Sequence, residues 1–136
     1  MHQLHLEILS DPARLAPTRR AIEAFCTSCG FDEAAVAQMG LCVNEALANI
    51  TRHAYAGAVD RPIHLDAAFA DDVLKISLRD WGCGKLPPTA HPKPDPLTPG
   101  GLGLICLRVC LDDVQYTPQS DGMLLTLTRK KASPAN

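Results

Sequence analysis

Glu45, Asn49 and His53 stand four residues apart in the segment Val43-Asn44-Glu45-Ala46-Leu47-Ala48-Asn49-Ile50-Thr51-Arg52-His53-Ala54-Tyr55. In an α-helix that step aligns a carboxylate, an amide and an imidazole on one side, about 6 Å apart along the axis. The row is either one wall of a site or a plain solvated face. Asp80 carries more information. Leu74, Ile76 and Leu78 alternate with Lys75, Ser77 and Arg79, and Asp80 continues the apolar parity. Its carboxylate therefore points where the core points, a costly place unless it is hydrogen-bonded or paired. Trp81-Gly82-Cys83-Gly84 follows, and glycines there allow a ligand close to backbone. Such an aspartate can accept a hydrogen bond from an adenine amino group; the other reading is a strand end already in solvent. Gly100-Gly101-Leu102-Gly103 stands at a predicted helix start, where unpaired N–H groups and the helix dipole suit a phosphate. It is not a P-loop, because the lysine and hydroxyl of that motif are missing, and no strand leads into it as a dinucleotide fingerprint requires.

The elements that must position these residues follow from periodicity. Leu4, Leu6 and Ile8 alternate into a first strand, which Ser10-Asp11-Pro12 ends. A helix starting between Pro12 and Pro17 carries Ile22, Phe25, Cys26 and Cys29 on its apolar side and stops at Gly30. Asp32 caps a longer helix whose Val36, Met39, Val43, Ala46, Leu47, Ile50 and Ala54 form a buried stripe, ending near Gly57. Ile63 to Phe69 and Leu74 to Leu78 read as a hairpin turned at Ala70-Asp71-Asp72. Six prolines between Lys85 and Pro99 exclude helix or central strand there, leaving a lid or an insertion. A helix from the glycine run to about Leu111 precedes a last strand pair, Val114 to Thr117 and Met123 to Arg129, turned at Gln119-Ser120-Asp121-Gly122. The order implies an α+β fold: a two-layer α/β sandwich with helices on one face of a mixed, mostly antiparallel sheet. Residues 1–131 form a single domain with a lid at about 85–99, and 132–136 a flexible tail.

Composition narrows the function classes. The net charge of −2 supplies no basic field for a nucleic-acid backbone. The start, His2 to Glu7, has neither the basic stretch nor the apolar run of a signal peptide, and no segment approaches the roughly 20 apolar residues of a membrane helix. A cytoplasmic protein with reduced cysteines is expected. Cys26-Thr27-Ser28-Cys29 lacks a second pair at zinc spacing, so both are expected to be small buried hydrophobes.

Together, Glu45-x-x-x-Asn49, Asp80-x-Gly82-x-Gly84 and Gly100-Gly101-Leu102-Gly103-Leu104 resemble the N, G1 and G2 boxes of the gyrase, histidine-kinase and MutL ATPase superfamily, the Bergerat ATP-binding fold. All three occur in order and span nearly the whole chain. Within that superfamily the stretch Val43 to Tyr55, with its His-Ala-Tyr ending, is most similar to the anti-sigma factor serine/threonine kinases.

The resemblance implies ATP and Mg²⁺ as ligands. It assigns Glu45 as general base on a serine or threonine hydroxyl and Asn49 as the Mg²⁺ ligand. It places Asp80 on adenine, with His53, Gly82 and Gly84 beside the nucleotide. Gly100, Gly101, Leu102, Gly103 and Leu104 become the lid hinge and phosphate cradle. It also implies a STAS-type anti-sigma factor antagonist as protein substrate, a sigma factor as second partner, and a homodimer, with no direct nucleic-acid or membrane contact. Some members carry an arginine before the glycine run; here that residue is Pro99. The alternative is a nucleotide-binding anti-sigma or switch protein that transfers nothing.

Overall fold

The computed structural model of the chain describes residues 2–82 and 109–131. Strand β1 spans His2–Leu9, and the Asp11 carboxylate then caps a short 3-10 turn at Pro12–Arg14 by accepting the Ala13 N–H at 2.9 Å. Helix α1, Leu15–Ser28, keeps Pro17 in its first turn, where a missing N–H costs nothing. Its buried face is Ile22, Phe25 and Cys26, as the periodicity implies. Asp32 caps α2, Glu33–Asn49, by accepting the Ala35 N–H at 2.8 Å. Gly40 on α2 faces Arg19 and Glu23 of α1, so a small residue brings the two helices together.

The long helix does not run unbroken toward Gly57. After Asn49 the chain takes a π-helical turn, Ile50–Ala54, closed by the Tyr55 N–H on the Ile50 carbonyl at 3.1 Å. Such wide turns inside helices recur at functional sites. Thr51 fastens this one to the start of the fold, its hydroxyl lying 3.2 Å from the Ser10 and Leu47 carbonyls.

Strands β2 (Pro62–Ala70) and β3 (Val73–Asp80) form the expected hairpin. Its two loop residues, Asp71 and Asp72, have φ of 54° and 60°, the positive angles that match the strand twist in a tight hairpin. Strands β4 (Asp113–Gln119) and β5 (Gly122–Lys130) form a second hairpin. The sheet order is β1-β2-β3-β5-β4. Every pairing is antiparallel, so the parallel component of the expected mixed sheet does not occur among the described strands. Two hairpins fix two pairings. The α1–α2 pair returns the chain so that β2 runs against β1, and β5 inserts beside β3.

Both helices lie over one face of the sheet. The core between the layers includes Ile22, Met39, Val43 and Leu47 from the helices, and Leu65, Leu74, Ile76, Leu78 and Leu127 from the strands. Cys26 and Cys29 are buried and not bridged, as small hydrophobes. Burial pushes the Cys26 thiol up to about 12, which leaves it an inert packing group. Val109 and Cys110 are the described helical residues of the segment expected to run from the glycines to Leu111. The expected lid at 85–99 and tail at 132–136 lie outside the described residues. Among the described residues no helix is long and apolar enough to cross a membrane.

Candidate functional site

The C-terminal end of α2 and the end of β3 meet at the same end of the sandwich. Between them lies a pocket lined by Ala46, Asn49, Ile50, His53 and Ala54 from the helix and its π turn, Asp80 from β3, Met123 and Leu125 from β5, and Tyr116 from β4. Asn49 and Asp80 are both buried, at 5% and 3% exposure. These values decide two alternatives left open by the sequence: Asn49 is not on a solvated face, and Asp80 has not reached solvent.

Asp80 is held by its own strand end. One carboxylate oxygen accepts the Gly82 N–H at 3.0 Å. Desolvation by burial raises its pKa above the usual carboxylate value, while the N–H groups of Gly82 and Met123 and the Arg79 charge oppose that rise. A carboxylate acceptor is thus held in a desolvated place, where a hydrogen bond from a ligand N–H donor would be strengthened.

Asn49 uses one half of its amide. Its Oδ1 accepts from an Arg52 guanidinium N–H at 2.5 Å, whereas its buried Nδ2 has no partner among the described residues. Glu45 Oε2 is likewise buried and without a described partner. Native proteins leave few such atoms. Glu45 sits one turn before Asn49 on α2 but is not part of the pocket lining. His53 lies in the π turn and still reaches the pocket. Burial, followed by the neighbouring Arg52 charge, lowers its pKa, which favours the neutral imidazole, in which one ring nitrogen is an acceptor.

Glycine at 82 has a reason that only the packing reveals. A Cβ there would strike the carbonyl of Ala54; the strand end is pressed against the π turn. Gly122 stands across from this point, with φ of 128°, and a Cβ on it would meet the Asp80 carbonyl. Gly84, Gly100, Gly101, Leu102, Gly103 and Leu104 lie outside the described residues. Tyr116, Met123 and Leu125 belong to no motif, although their strand parity turns them inward.

The pocket is partly open, with a cavity volume of about 20 Å³.

The pocket lies within residues 8–129, which match the family model described as "Histidine kinase-like ATPase domain". The chain belongs to that family. Among curated relatives, it is 24% identical over 139 residues to "Serine-protein kinase RsbW" of Listeria monocytogenes, covering 95% of this chain and 88% of the relative. That likeness bears out the anti-sigma kinase resemblance carried by the stretch Val43 to Tyr55. Among solved structures, this ATPase domain is similar to the RsbU and RsbW domains of a Mycobacterium tuberculosis protein, with a TM-score of 0.74 and 20% identity. The match covers 99% of this chain and 34% of that one, so the chain spans about a third of that structure. The histidine kinase domain of a blue-light activated kinase from Erythrobacter litoralis matches with a TM-score of 0.57 and 16% identity, over 88% of this chain and 60% of that one. Both support the fold.

Proposed function

We propose that this chain binds Mg²⁺–ATP and transfers the γ-phosphoryl group to a serine or threonine of a STAS-type anti-sigma factor antagonist, and that it also holds a sigma factor inactive. The observation that carries the reading is a buried carboxylate, Asp80, facing the same pocket as the half-satisfied amide of Asn49. Family membership and relatives described as serine-protein kinases support it.

The described residues Asn49, His53 and Asp80 supply acceptors of the kind these ligands need. Asp80 accepts from the adenine amino group. His53 and Gly82 are assigned to the nucleotide on this reading, as the resemblance also assigns Gly84, and it gives the phosphates to Gly100, Gly101, Leu102, Gly103 and Leu104. Asn49 Oδ1 is a hard oxygen of the kind Mg²⁺ prefers, and the buried Glu45 Oε2 is a second orphaned oxygen nearby in sequence. On this reading Asn49 would hold Mg²⁺ together with the phosphates of ATP. Once bound it neutralises charge on the phosphates. Arg52 now holds Asn49 Oδ1 and must leave it for a cation to approach. Glu45 takes the proton of the attacking hydroxyl as the new O–P bond forms and ADP departs. The remaining work is positioning. The reading includes a homodimer in the cytoplasm, with residues 1–131 as one domain.

Incubation with γ-labelled ATP, Mg²⁺ and the cognate STAS protein tests transfer. Labelled STAS protein is expected; ATP binding without label on any hydroxyl contradicts the kinase reading. One observation favours a second reading, a nucleotide-binding switch without transfer: Glu45 does not line the pocket. On that reading Glu45→Ala leaves partner binding and function in cells intact.

A further inference from the structure

Tyr55 ends the π turn and is 8% exposed. Its hydroxyl donates to the Pro62 carbonyl at 2.5 Å and accepts the Trp81 N–H at 2.8 Å. One buried atom therefore ties the end of the helix to the start of β2 and to the residue that follows Asp80. The next residue, Gly82, packs its Cα against the Ala54 carbonyl, one position before Tyr55. Gly82 in turn donates its N–H to the Asp80 carboxylate. The chain of contacts runs from the Tyr55 hydroxyl to the Trp81 backbone, to Gly82, and to the oxygen at the pocket floor. Tyr55 does not line the pocket, so any effect on a ligand passes through that chain.

We propose that Tyr55 is the positioning residue for base discrimination: its hydroxyl fixes the strand end so that the Asp80 carboxylate meets a purine amino group at the correct place. The inference rests on the reading of Asp80 as the adenine acceptor. A carboxylate has only acceptors. Adenine offers an amino donor, whereas hypoxanthine presents a carbonyl at the same position and is repelled. Discrimination of this kind depends on a fixed acceptor, because a carboxylate free to turn away accommodates both bases. Tyr55→Phe keeps the ring that fills the core but leaves the Trp81 N–H and Pro62 carbonyl without their partner, and releases the strand end.

Calorimetric titration of the full chain with ATP and with inosine triphosphate, in wild type and in Tyr55→Phe, reads the ratio of the two affinities. The wild type should prefer ATP by at least about tenfold. In Tyr55→Phe that preference should shrink by about three- to tenfold, the worth of one hydrogen bond, through weaker ATP binding with inosine triphosphate unchanged. In an Asp80→Asn background the tyrosine substitution should alter the ratio no further. A purely structural tyrosine would lower the melting temperature and leave the ratio intact; that outcome overturns the proposal. A wild type that binds both nucleotides equally overturns the Asp80 reading itself, and this one with it. If Tyr55→Phe does not fold, an ester replacing the Trp81 amide removes the same hydrogen bond with the tyrosine in place. It must reduce the ratio likewise, and an unchanged ratio counts against the proposal.

Discussion

The two ends of helix α2 pack against the two ends of the same sheet, and they are built to opposite rules. At the N-terminal end, Phe31 meets Phe69 edge to face at 5.6 Å, and His2 lies 6.2 Å from Phe69. Lys131 donates to the Cys29 carbonyl at 3.3 Å, and Asp32 caps the helix. Phe31 and Phe69 are buried there. At the C-terminal end, Asn49 Nδ2 and Glu45 Oε2 are buried without described partners, Asp80 is a desolvated carboxylate, and the helix widens into a π turn. One end serves stability. The other leaves two buried polar atoms without a described partner, which supports the proposed nucleotide site.

Substitutions at either end should separate the two properties. The largest effect belongs to Glu45→Ala. Phosphoryl transfer should fall by about 10²–10⁴, the usual worth of a general base, while calorimetry finds ATP affinity nearly unchanged. At the closed end, Phe31→Ala should cost about 3–5 kcal/mol in urea unfolding, with no change in the nucleotide affinity of the folded fraction. Loss of affinity there would break the comparison.

Asp80→Asn should move the two properties in opposite directions. ATP affinity should drop by about tenfold or more with loss of a charged acceptor. Stability should rise at neutral pH. The sign follows from the raised folded pKa: the unfolded chain releases this proton first, so stability attributable to Asp80 is present at low pH and is lost as pH rises through the folded value. The asparagine removes that loss. By the same shift, ATP affinity of the wild type should weaken on acidification before an unperturbed aspartate would protonate, and the asparagine variant should lack that step. Thermal melts and calorimetry across pH check both. The smallest effect is chemical: Cys26, with its thiol at about 12, should resist iodoacetamide at pH 8 until the protein unfolds, as mass spectrometry would show.

Much of this contrast is legible in the sequence because parity is a strong signal. The alternation of Leu74, Ile76 and Leu78 gives Asp80 its inward parity, while its burial decides that the strand end has not reached solvent, and the Asp71-Asp72 turn fixes the hairpin register. Asp32 and Pro17 mark helix starts through their backbone chemistry. The π turn is not legible. Ile50 and Ala54 satisfy the helical stripe equally well with either hydrogen-bond register, and what selects the wide turn is tertiary, including Thr51 reaching the Ser10 carbonyl. Tyr116 is hidden for a similar reason. Alternation turns it inward, but its approach to the pocket depends on β5 inserting between β3 and β4. Tyr55 reads in the sequence as the end of a motif, whereas its hydroxyl joins elements separated by up to 26 residues.

Trp81, the chain's single tryptophan, lies between Asp80 and Gly82 and is 36% exposed. Its fluorescence therefore reports on the strand end that carries Asp80. Titration with ATP, with and without Mg²⁺, should give a saturable change that tightens with the metal and is lost in Asp80→Asn. No saturable response to millimolar ATP, with calorimetry equally silent, would contradict the existence of the nucleotide site.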